Sequence, residues 1–229
     1  MKTEDQPMVR ATALSKRYRS GRVEKTALRQ VSLAIPRAEF WIVSGPSGSG
    51  KTTLLALLAG MIAPTEGEVV LEGKSITHLR DHHRALVRRN LVGMVFQEFA
   101  LVTGMTLVEN IFLPLVPQGG PGELERQRAR ALLDRFGMAA YARTQVERLS
   151  AGERQRGAII RALVADAPIL MLDEPTAALD TENVRIMVDL LLGLRAEGRT
   201  IVATTHDRRL IEDPRLDGVL RLVDGRLEP

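Results

Sequence analysis

Glycines and a lysine in the segment from Gly45 to Thr52 have the spacing of a phosphate-binding loop. The segment reads Gly45-Pro46-Ser47-Gly48-Ser49-Gly50-Lys51-Thr52, is followed by Thr53, and fits the pattern G-x-x-x-x-G-K-[ST]. Glycines permit a concave turn whose N–H groups converge on an anion, and the following helix N-terminus adds a positive dipole end. Lys51 supplies a charge for the β- and γ-phosphates, and the Thr52 hydroxyl is placed to ligate Mg²⁺. The segment predicts a site for a nucleoside triphosphate.

Two adjacent carboxylates form a second candidate element of this site. Asp173 and Glu174 stand at the carboxyl end of an apolar run over residues 169–172, which predicts a buried strand. Asp173 is expected to be a Mg²⁺ partner, and Glu174, which points the other way, is expected to accept a proton from attacking water. Solvated acids are common at strand ends, so this interpretation depends on the phosphate loop.

The elements that must position these residues alternate between apolar strands and helices, which predicts an α/β fold with a mainly parallel sheet. Residues 97–157 break the alternation with helices and no clear strand, and are interpreted as a helical insert. One domain over 1–229 is expected, with a core of 1–96 and 158–229. Strands are predicted at 9–14, 31–35, 40–44, 68–71, 91–96, 169–172, 200–204 and 219–223, and helices at 51–61, 106–113, 123–136, 151–165, 183–197 and near 208.

Composition excludes several classes of protein. The 229 residues contain no cysteine, so disulfide frameworks, thiolate zinc sites and cysteine nucleophiles are excluded. A net charge of +4 with 3% aromatic residues gives no indication of nucleic-acid binding. The longest apolar run, residues 54–63, is far shorter than the roughly 18 residues of a membrane span. The charged start, residues 1–7, lacks a secretory signal, so neither export nor direct lipid insertion is expected.

The segment Leu149-Ser150-Ala151-Gly152-Glu153-Arg154-Gln155-Arg156 resembles the signature motif of ATP-binding cassette (ABC) ATPases. It stands upstream of the Asp173–Glu174 strand, as it does in that family, and the resemblance covers nearly the whole chain. The resemblance implies a P-loop NTPase (RecA-like) core, an N-terminal antiparallel β subdomain and an inserted α-helical subdomain. ATP and Mg²⁺ are the implied cofactors.

The resemblance also implies roles for four residues outside these motifs. Tyr18 is similar to the aromatic residue that stacks on adenine, and Gln97 to the glutamine that joins the helical subdomain and contacts Mg²⁺ with Thr52 and Asp173. Asp180, in the segment 178–180, resembles the loop that contacts the opposite subunit. His206 resembles the switch histidine that reaches the γ-phosphate. Taken singly, a surface tyrosine, a polar strand end and a capping histidine are ordinary alternatives.

Family ATPases dimerise head to tail, so the phosphate loop of one copy faces the signature of the other. Ser150 and the Gly152 N–H are then implied to donate to the γ-phosphate bound by the second copy. Two ATP molecules would hold the dimer closed, and hydrolysis with Glu174 as base and Lys51 and His206 at the phosphate would release it. The membrane partner would read the open and closed states.

Position 151 departs from the family, which usually has glycine there. An alanine with positive φ would cost about 1 kcal/mol. We expect Ala151 to lie in the first turn of a helix instead, because Ser150 is a good N-cap and Glu153 follows three residues later. The substitution is therefore expected to leave activity intact.

Two further patterns are interpreted as surface features. His78 and His82 have the i, i+4 spacing of a helical metal site, with His83 adjacent, but arginines surround them and favour a solvated basic face. The alternating charges of residues 123–135 favour an exposed helix face.

Residues 93–102 and 106–115 are similar to the subgroup that serves lipoprotein release, macrolide or peptide efflux and cell division. The favoured interpretation is the ATPase subunit that drives an integral membrane permease from the inner, cytoplasmic face of the cell membrane. The alternative is an ATPase of a cell-division or signalling complex that moves no substrate. One hypothesis places Phe99, Leu101, Val102 and Met105 in a groove for a partner helix, and core packing in the insert explains the same residues equally well.

Overall fold

The structure, a computed structural model, describes residues 6–21, 23–177 and 179–228. Residues 1–5 of the charged start, and Ala178 of the predicted dimer loop, lie outside these ranges. Within them, no helix is both long enough and apolar enough to cross a membrane.

A six-stranded sheet forms the centre of the fold, with strand order β10-β9-β3-β8-β7-β6. The strands β9, β3, β8, β7 and β6 are parallel, and β10 pairs antiparallel with β9. This confirms the predicted mainly parallel sheet. The bounds are β3 Phe40–Ser44, β6 Val92–Val95, β7 Ile169–Asp173, β8 Thr200–Thr205, β9 Gly218–Val223 and β10 Arg226–Leu227.

A separate antiparallel sheet with strand order β2-β1-β4-β5 forms the N-terminal β subdomain, as the resemblance implied. Its strands are β1 Val9–Ser20, β2 Val23–Ile35, β4 Glu66–Leu71 and β5 Lys74–Ser75. β1 extends well past the predicted end at Leu14. Residues 16–19 are basic or aromatic and have no apolar alternation, because this end of the strand is largely exposed to solvent.

Helices cover both faces of the parallel sheet. They are α1 Lys51–Leu58, α2 Asp81–Leu91, α3 Leu107–Phe112, α4 Glu123–Arg135, α5 Ala151–Leu163, α6 Thr181–Ala196 and α7 Arg208–Ile211, with a 3₁₀ helix at Leu113–Gln118. The helix α2 was not predicted, because its three arginines and two histidines outnumber its four apolar residues. The insert between β6 and β7 contains α3, α4 and α5. The predicted division at residue 157 stays a prediction, and α5 is continuous through it.

The continuous apolar runs of the parallel strands divide between two cores. In β7, Leu170 and Leu172 face the cluster formed with α3 to α6, whereas Ile169 and Met171 face the cluster formed with α1 and the β subdomain. Successive strand side chains point to opposite faces, so a strand covered on both sides needs apolar residues at every position. This double burial explains why the sequence predicted these strands well.

Gly93 lets α5 pack closely against β6. A Cβ atom at this position would lie 2.4 Å from the backbone oxygen of Ala162, and a backbone atom cannot rotate away as a side-chain end can. The Gly93→Ala variant should therefore lose about 1–3 kcal/mol of unfolding free energy through overpacking, measured by urea denaturation.

Gly193→Ala is the matched control. Its Cβ would meet only the flexible end of Arg135 at 2.9 Å, and Gly193 lies inside α6, where alanine is the better helix former. It should be neutral or stabilising by up to about 1 kcal/mol. Equal losses in both variants would contradict the close-packing explanation.

Candidate nucleotide-binding and catalytic site

The loop from Gly45 to Gly50 connects β3 to α1 and packs closely against neighbouring backbone. A Cβ atom at Gly45 would lie 2.1 Å from the Leu222 oxygen, and one at Gly50 would lie 2.6 Å from the Ala27 oxygen. Gly50 also has a φ of 107°, which an L side chain rarely adopts. The sequence needs glycine here because the loop is pressed between β9 and the β1–β2 subdomain.

Lys51 is the charged residue inside this loop. Its side chain is 7% exposed, and Nζ donates to the carbonyl oxygens of Gly45 at 2.9 Å and Pro46 at 3.1 Å. The buried Ser49 hydroxyl has no hydrogen-bond partner among the described residues. An ammonium and an unpartnered hydroxyl in a glycine-rich loop at a helix N-terminus form a donor set that suits phosphate oxygens.

Asp173 and Thr52 meet across the sheet edge, as predicted from sequence. Thr204 Oγ1 donates to Asp173 Oδ1 at 2.5 Å, and Thr52 Oγ1 lies within 3.3 Å of the same oxygen. Thr204 is paired with Asp173 in the parallel register of β7 and β8. A hydroxyl and a buried carboxylate side by side are hard oxygen ligands of the kind that Mg²⁺ prefers, so these residues fit the ion.

Glu174 follows in a left-handed backbone conformation, with φ of 49°. Its carboxylate is 8% exposed and lies 3.6 Å from Lys51 Nζ and 3.0 Å from His206 Nδ1. The backbone N–H groups of Glu174 and His206 add hydrogen bonds to Thr204 and to Glu174 respectively. The structure therefore brings the predicted base Glu174, the predicted switch histidine His206 and the loop lysine Lys51 into one cluster.

One cavity of about 940 Å³ contains most of the predicted nucleotide residues. Tyr18 is 44% exposed at one side of it, and the exposed Gln97 lies at another. The β2 residues Lys25, Thr26 and Ala27, which line the cavity with Tyr18, were not predicted, because only the pairing of β1 with β2 brings them to the cavity. The lining includes Tyr18, Lys25, Thr26, Ala27, Pro46, Ser47, Gly48, Gly50, Lys51, Thr52, Thr53, Gln97, Glu174 and His206.

The signature residues lie elsewhere. Ser150 caps α5: its hydroxyl accepts from the Glu153 N–H at 3.3 Å, and the Glu153 carboxylate accepts from the Ser150 N–H at 2.7 Å. The hydrogen bond from the Ser150 backbone N–H is the main reason why the pKa of Glu153 is lowered. Ala151 is the first residue of α5, as expected, so it needs no positive φ. None of residues 150–153 lines the cavity of the same chain.

Comparison with known proteins decides the family. The family model described as "ABC transporter" matches residues 28–177. The chain belongs to the ABC transporter family. It is the ATP-binding and ATP-hydrolysing component of such a transporter, as the sequence analysis predicted.

Individual relatives of this ABC ATPase agree with the assignment. An uncharacterized ABC transporter ATP-binding protein of Thermotoga maritima is 37% identical over 92% of this chain and 89% of its own length. The macrolide export ATP-binding/permease protein MacB 1/2 of Paracoccus denitrificans is 37% identical over 96% of this chain, which spans only 33% of that protein.

A solved structure is also similar to this ABC ATPase over nearly its whole length. It is a dimeric structure of the ATP-binding cassette MJ0796 in a post-hydrolysis state, bound to ADP and Pi. It has a TM-score of 0.89 and 36% identity over 97% of both chains. The similarity confirms the predicted P-loop NTPase fold.

Asp180 of the predicted dimer loop caps α6 in this ABC ATPase. Its carboxylate accepts from the Asn183 N–H at 2.8 Å, and this hydrogen bond is the largest cause of its lowered pKa. Sequence reasoning missed Arg209, which donates to the Asp207 carboxylate and to the Leu179 oxygen at 3.3 Å. Arg209 thereby links the loop before α6 to the residue after His206.

Arg161 was also missed, and it holds the loop that follows Gln97. Its guanidinium is 9% exposed and donates to the carbonyl oxygens of Phe99, at 2.7 Å, and Ala100. Burial lowers the pKa of Arg161. Phe99 and Ala100 are both left-handed, with φ of 61° and 49°, and Arg154 lies 5.7 Å from the centroid of the Phe99 ring. The signature helix α5 therefore holds this strained loop at two points.

The lesser predicted features have separate outcomes. Phe99 and Leu101 are partly buried against the core, whereas Val102 is exposed, so both explanations given for this segment retain support. His82 and His83 contact each other on the exposed start of α2. Within the described residues, no group of three metal-ligating side chains forms around them.

The left-handed conformation of Ala100 generates a prediction. A non-glycine residue in this conformation destabilises the fold by about 1–2 kcal/mol, and glycine removes that strain. Glycine also loses more conformational freedom on folding than alanine, which offsets part of the gain. Ala100→Gly should therefore raise the unfolding free energy by about 0.5–1 kcal/mol in a denaturation experiment. Ala131→Gly, on the exposed face of α4, is the control and should lose about 1 kcal/mol. A loss in both variants would contradict the strain at Ala100.

Proposed function

We propose that two copies of this chain close head to tail around two ATP molecules and that hydrolysis reopens them. The observation that carries the proposal is the position of Ser150 and Gly152, which lie at an exposed helix N-terminus outside the cavity of their own chain. Such a terminus attracts anions, and a second copy supplies the phosphates. The dimeric state of the similar MJ0796 cassette supports this arrangement.

The chemistry follows from the cluster around Glu174. Lys51 and the loop N–H groups bind the terminal phosphates, which places the γ-phosphorus near Glu174 and His206. Glu174 accepts a proton from the attacking water, and His206 holds the carboxylate through their contact. Thr52, Asp173 and Gln97 would hold Mg²⁺, which supplies charge neutralisation to the phosphates. Tyr18 stacks on adenine at the side of the cavity.

The output of this cycle is movement of an integral membrane permease, with the ATPase bound at the cytoplasmic face of the membrane. Support comes from the macrolide export relatives, whose names place ATP-binding and permease parts in one protein. This chain spans about a third of those proteins. The proposed direction of transport is export, and the proposed substrate is a drug, peptide or lipoprotein.

The proposed permease site is a groove of about 610 Å³ between α2, β6 and the 3₁₀ helix at Leu113–Gln118, a different surface from the one that Phe99, Leu101, Val102 and Met105 were expected to line. Its lining is mostly apolar and includes the exposed Met61 and Leu86. Arg88, Arg89 and Arg161 also line it, and none lies within a salt-bridge distance of a carboxylate among the described residues. A permease helix that is mostly apolar and carries an acidic side chain would complement this groove in both polarity and charge.

The Glu174→Gln variant tests the hydrolysis mechanism. It removes the proton acceptor while retaining size and polarity, so turnover should fall by roughly 10²–10⁴-fold while ATP binding persists. Because ATP then stays bound, dimers should accumulate with ATP, as measured by size-exclusion chromatography with light scattering. Near-normal turnover would refute the role of Glu174.

A double variant provides the control for dimer geometry. Adding Ser150→Arg to Glu174→Gln places a bulky cation at the α5 N-terminus, so the ATP-dependent dimer should disappear. Dimers that survive this change would show that the signature does not face the second nucleotide.

Charge reversal tests the groove. Arg89→Glu should weaken capture of the permease in detergent extracts and abolish stimulation of ATPase activity by it, because it would repel an acidic helix. ATPase activity of the isolated chain should stay unchanged. Arg130→Glu, on the exposed face of α4, is the matched control and should retain permease binding. Equal binding by both variants would place the permease elsewhere.

A further inference from the structure

The ring of Tyr18 has a cation beside it. Lys16 Nζ lies 5.3 Å from the ring centroid, within the range of a cation–π contact. The same ammonium donates to the carbonyl oxygen of Ala63 at 2.7 Å. Ala63 lies in the turn after α1, the helix that begins with Lys51. A single side chain therefore connects the Tyr18 ring to the loop between α1 and β4.

Irregular strand pairing produces this placement. Where β1 pairs with β2, the register shifts between Leu14 and Lys16 and again between Lys16 and Arg17, and it is regular from Arg17 onward. Bulges of this kind redirect side chains and are common beside functional sites. Lys16 thus lies at the irregularity, and Tyr18 is the second residue of the regular ladder that follows.

The segment around Lys16 is also fastened to the chain beyond α1. The Arg17 N–H donates to Thr65 Oγ1 at 3.0 Å, and the Thr65 N–H donates to the Ser15 oxygen at 2.8 Å. With the Lys16–Ala63 bond, these contacts fix the backbone of β1 against the loop between α1 and β4. The remaining freedom of Tyr18 is that of its side chain, and the Lys16 ammonium restricts it.

Tyr18 lines the nucleotide cavity, whereas Lys16 does not. Lys25, Thr26 and Ala27 of β2 line the cavity together with Tyr18, so part of the ring is open to the cavity while the Lys16 ammonium lies outside it. We propose that Lys16 is a positioning residue for the purine base, which orients Tyr18 so that its open face stacks on adenine. A cation on one side withdraws electron density from the ring, which favours stacking of an electron-rich purine on the other. This inference rests on the proposed stacking role of Tyr18.

Comparison of ADP with pyrophosphate separates positioning of the base from a purely structural role of Lys16. Both ligands carry two phosphates, and only ADP has a base. Lys16→Met should raise the Kd for ADP by about two- to fivefold and leave that for pyrophosphate unchanged, as measured by titration calorimetry. Lys16→Arg, which keeps the cation, should restore ADP affinity. Lys16→Gln keeps a donor for Ala63 without the charge and should behave as Lys16→Met.

The Tyr18→Leu background and a surface lysine complete the experiment. In Tyr18→Leu, which should itself weaken ADP, Lys16→Met should cause no additional loss. Lys74→Met, on the exposed strand β5, should change neither ligand. Equal weakening of ADP and pyrophosphate, or a loss that persists without Tyr18, would overturn the inference. Unchanged ADP affinity in Tyr18→Leu would overturn the stacking role of Tyr18 as well, which separates the two failures.

Discussion

The buried pair of Lys51 and Glu174 determines how the rest of the site is arranged. Two ionised groups removed from water are costly unless charges and hydrogen bonds compensate them. Here the strands β3, β8 and β7 are neighbours and end at one edge, so Lys51, His206 and Glu174 arrive together. Lys51 is shared between two carbonyl oxygens and Glu174, at 3.6 Å. A phosphate in the loop would compete for that ammonium and leave Glu174 free to accept a proton.

The residues best suited to balance the negative charge of a terminal phosphate lie in two separate places on the chain. The cavity contains one set, and the capped N-terminus of α5 presents another on the outside. The capping box satisfies Ser150 and Glu153 with each other, so α5 needs no contact with its own nucleotide to be stable. This local independence would let α5 serve a second molecule, as proposed, without strain in the first.

Sequence predicted those parts of the site that depend on local pattern. The loop from Gly45, the strand before Asp173 and the cap at Ser150 each follow from neighbouring residues. The missed parts depend on distant contacts: Arg161 reaches a loop whose strained conformation no motif indicates, and Arg209 reaches Leu179 across the fold. The helix α2 was missed for another reason, since its basic residues leave little apolar periodicity to detect.

Arg161 connects three parts of the proposed mechanism. It belongs to α5, whose N-terminus is proposed to face the second copy, and its guanidinium holds the loop that carries Gln97 into the cavity. It also lines the groove assigned to the permease, together with Ala100. Among the described residues, the Arg161 side chain hydrogen-bonds only to carbonyl oxygens, so it fixes backbone rather than another charge and couples the loop to the helix. Displacement of α5 by a second copy would therefore move Gln97 and reshape the groove in one step.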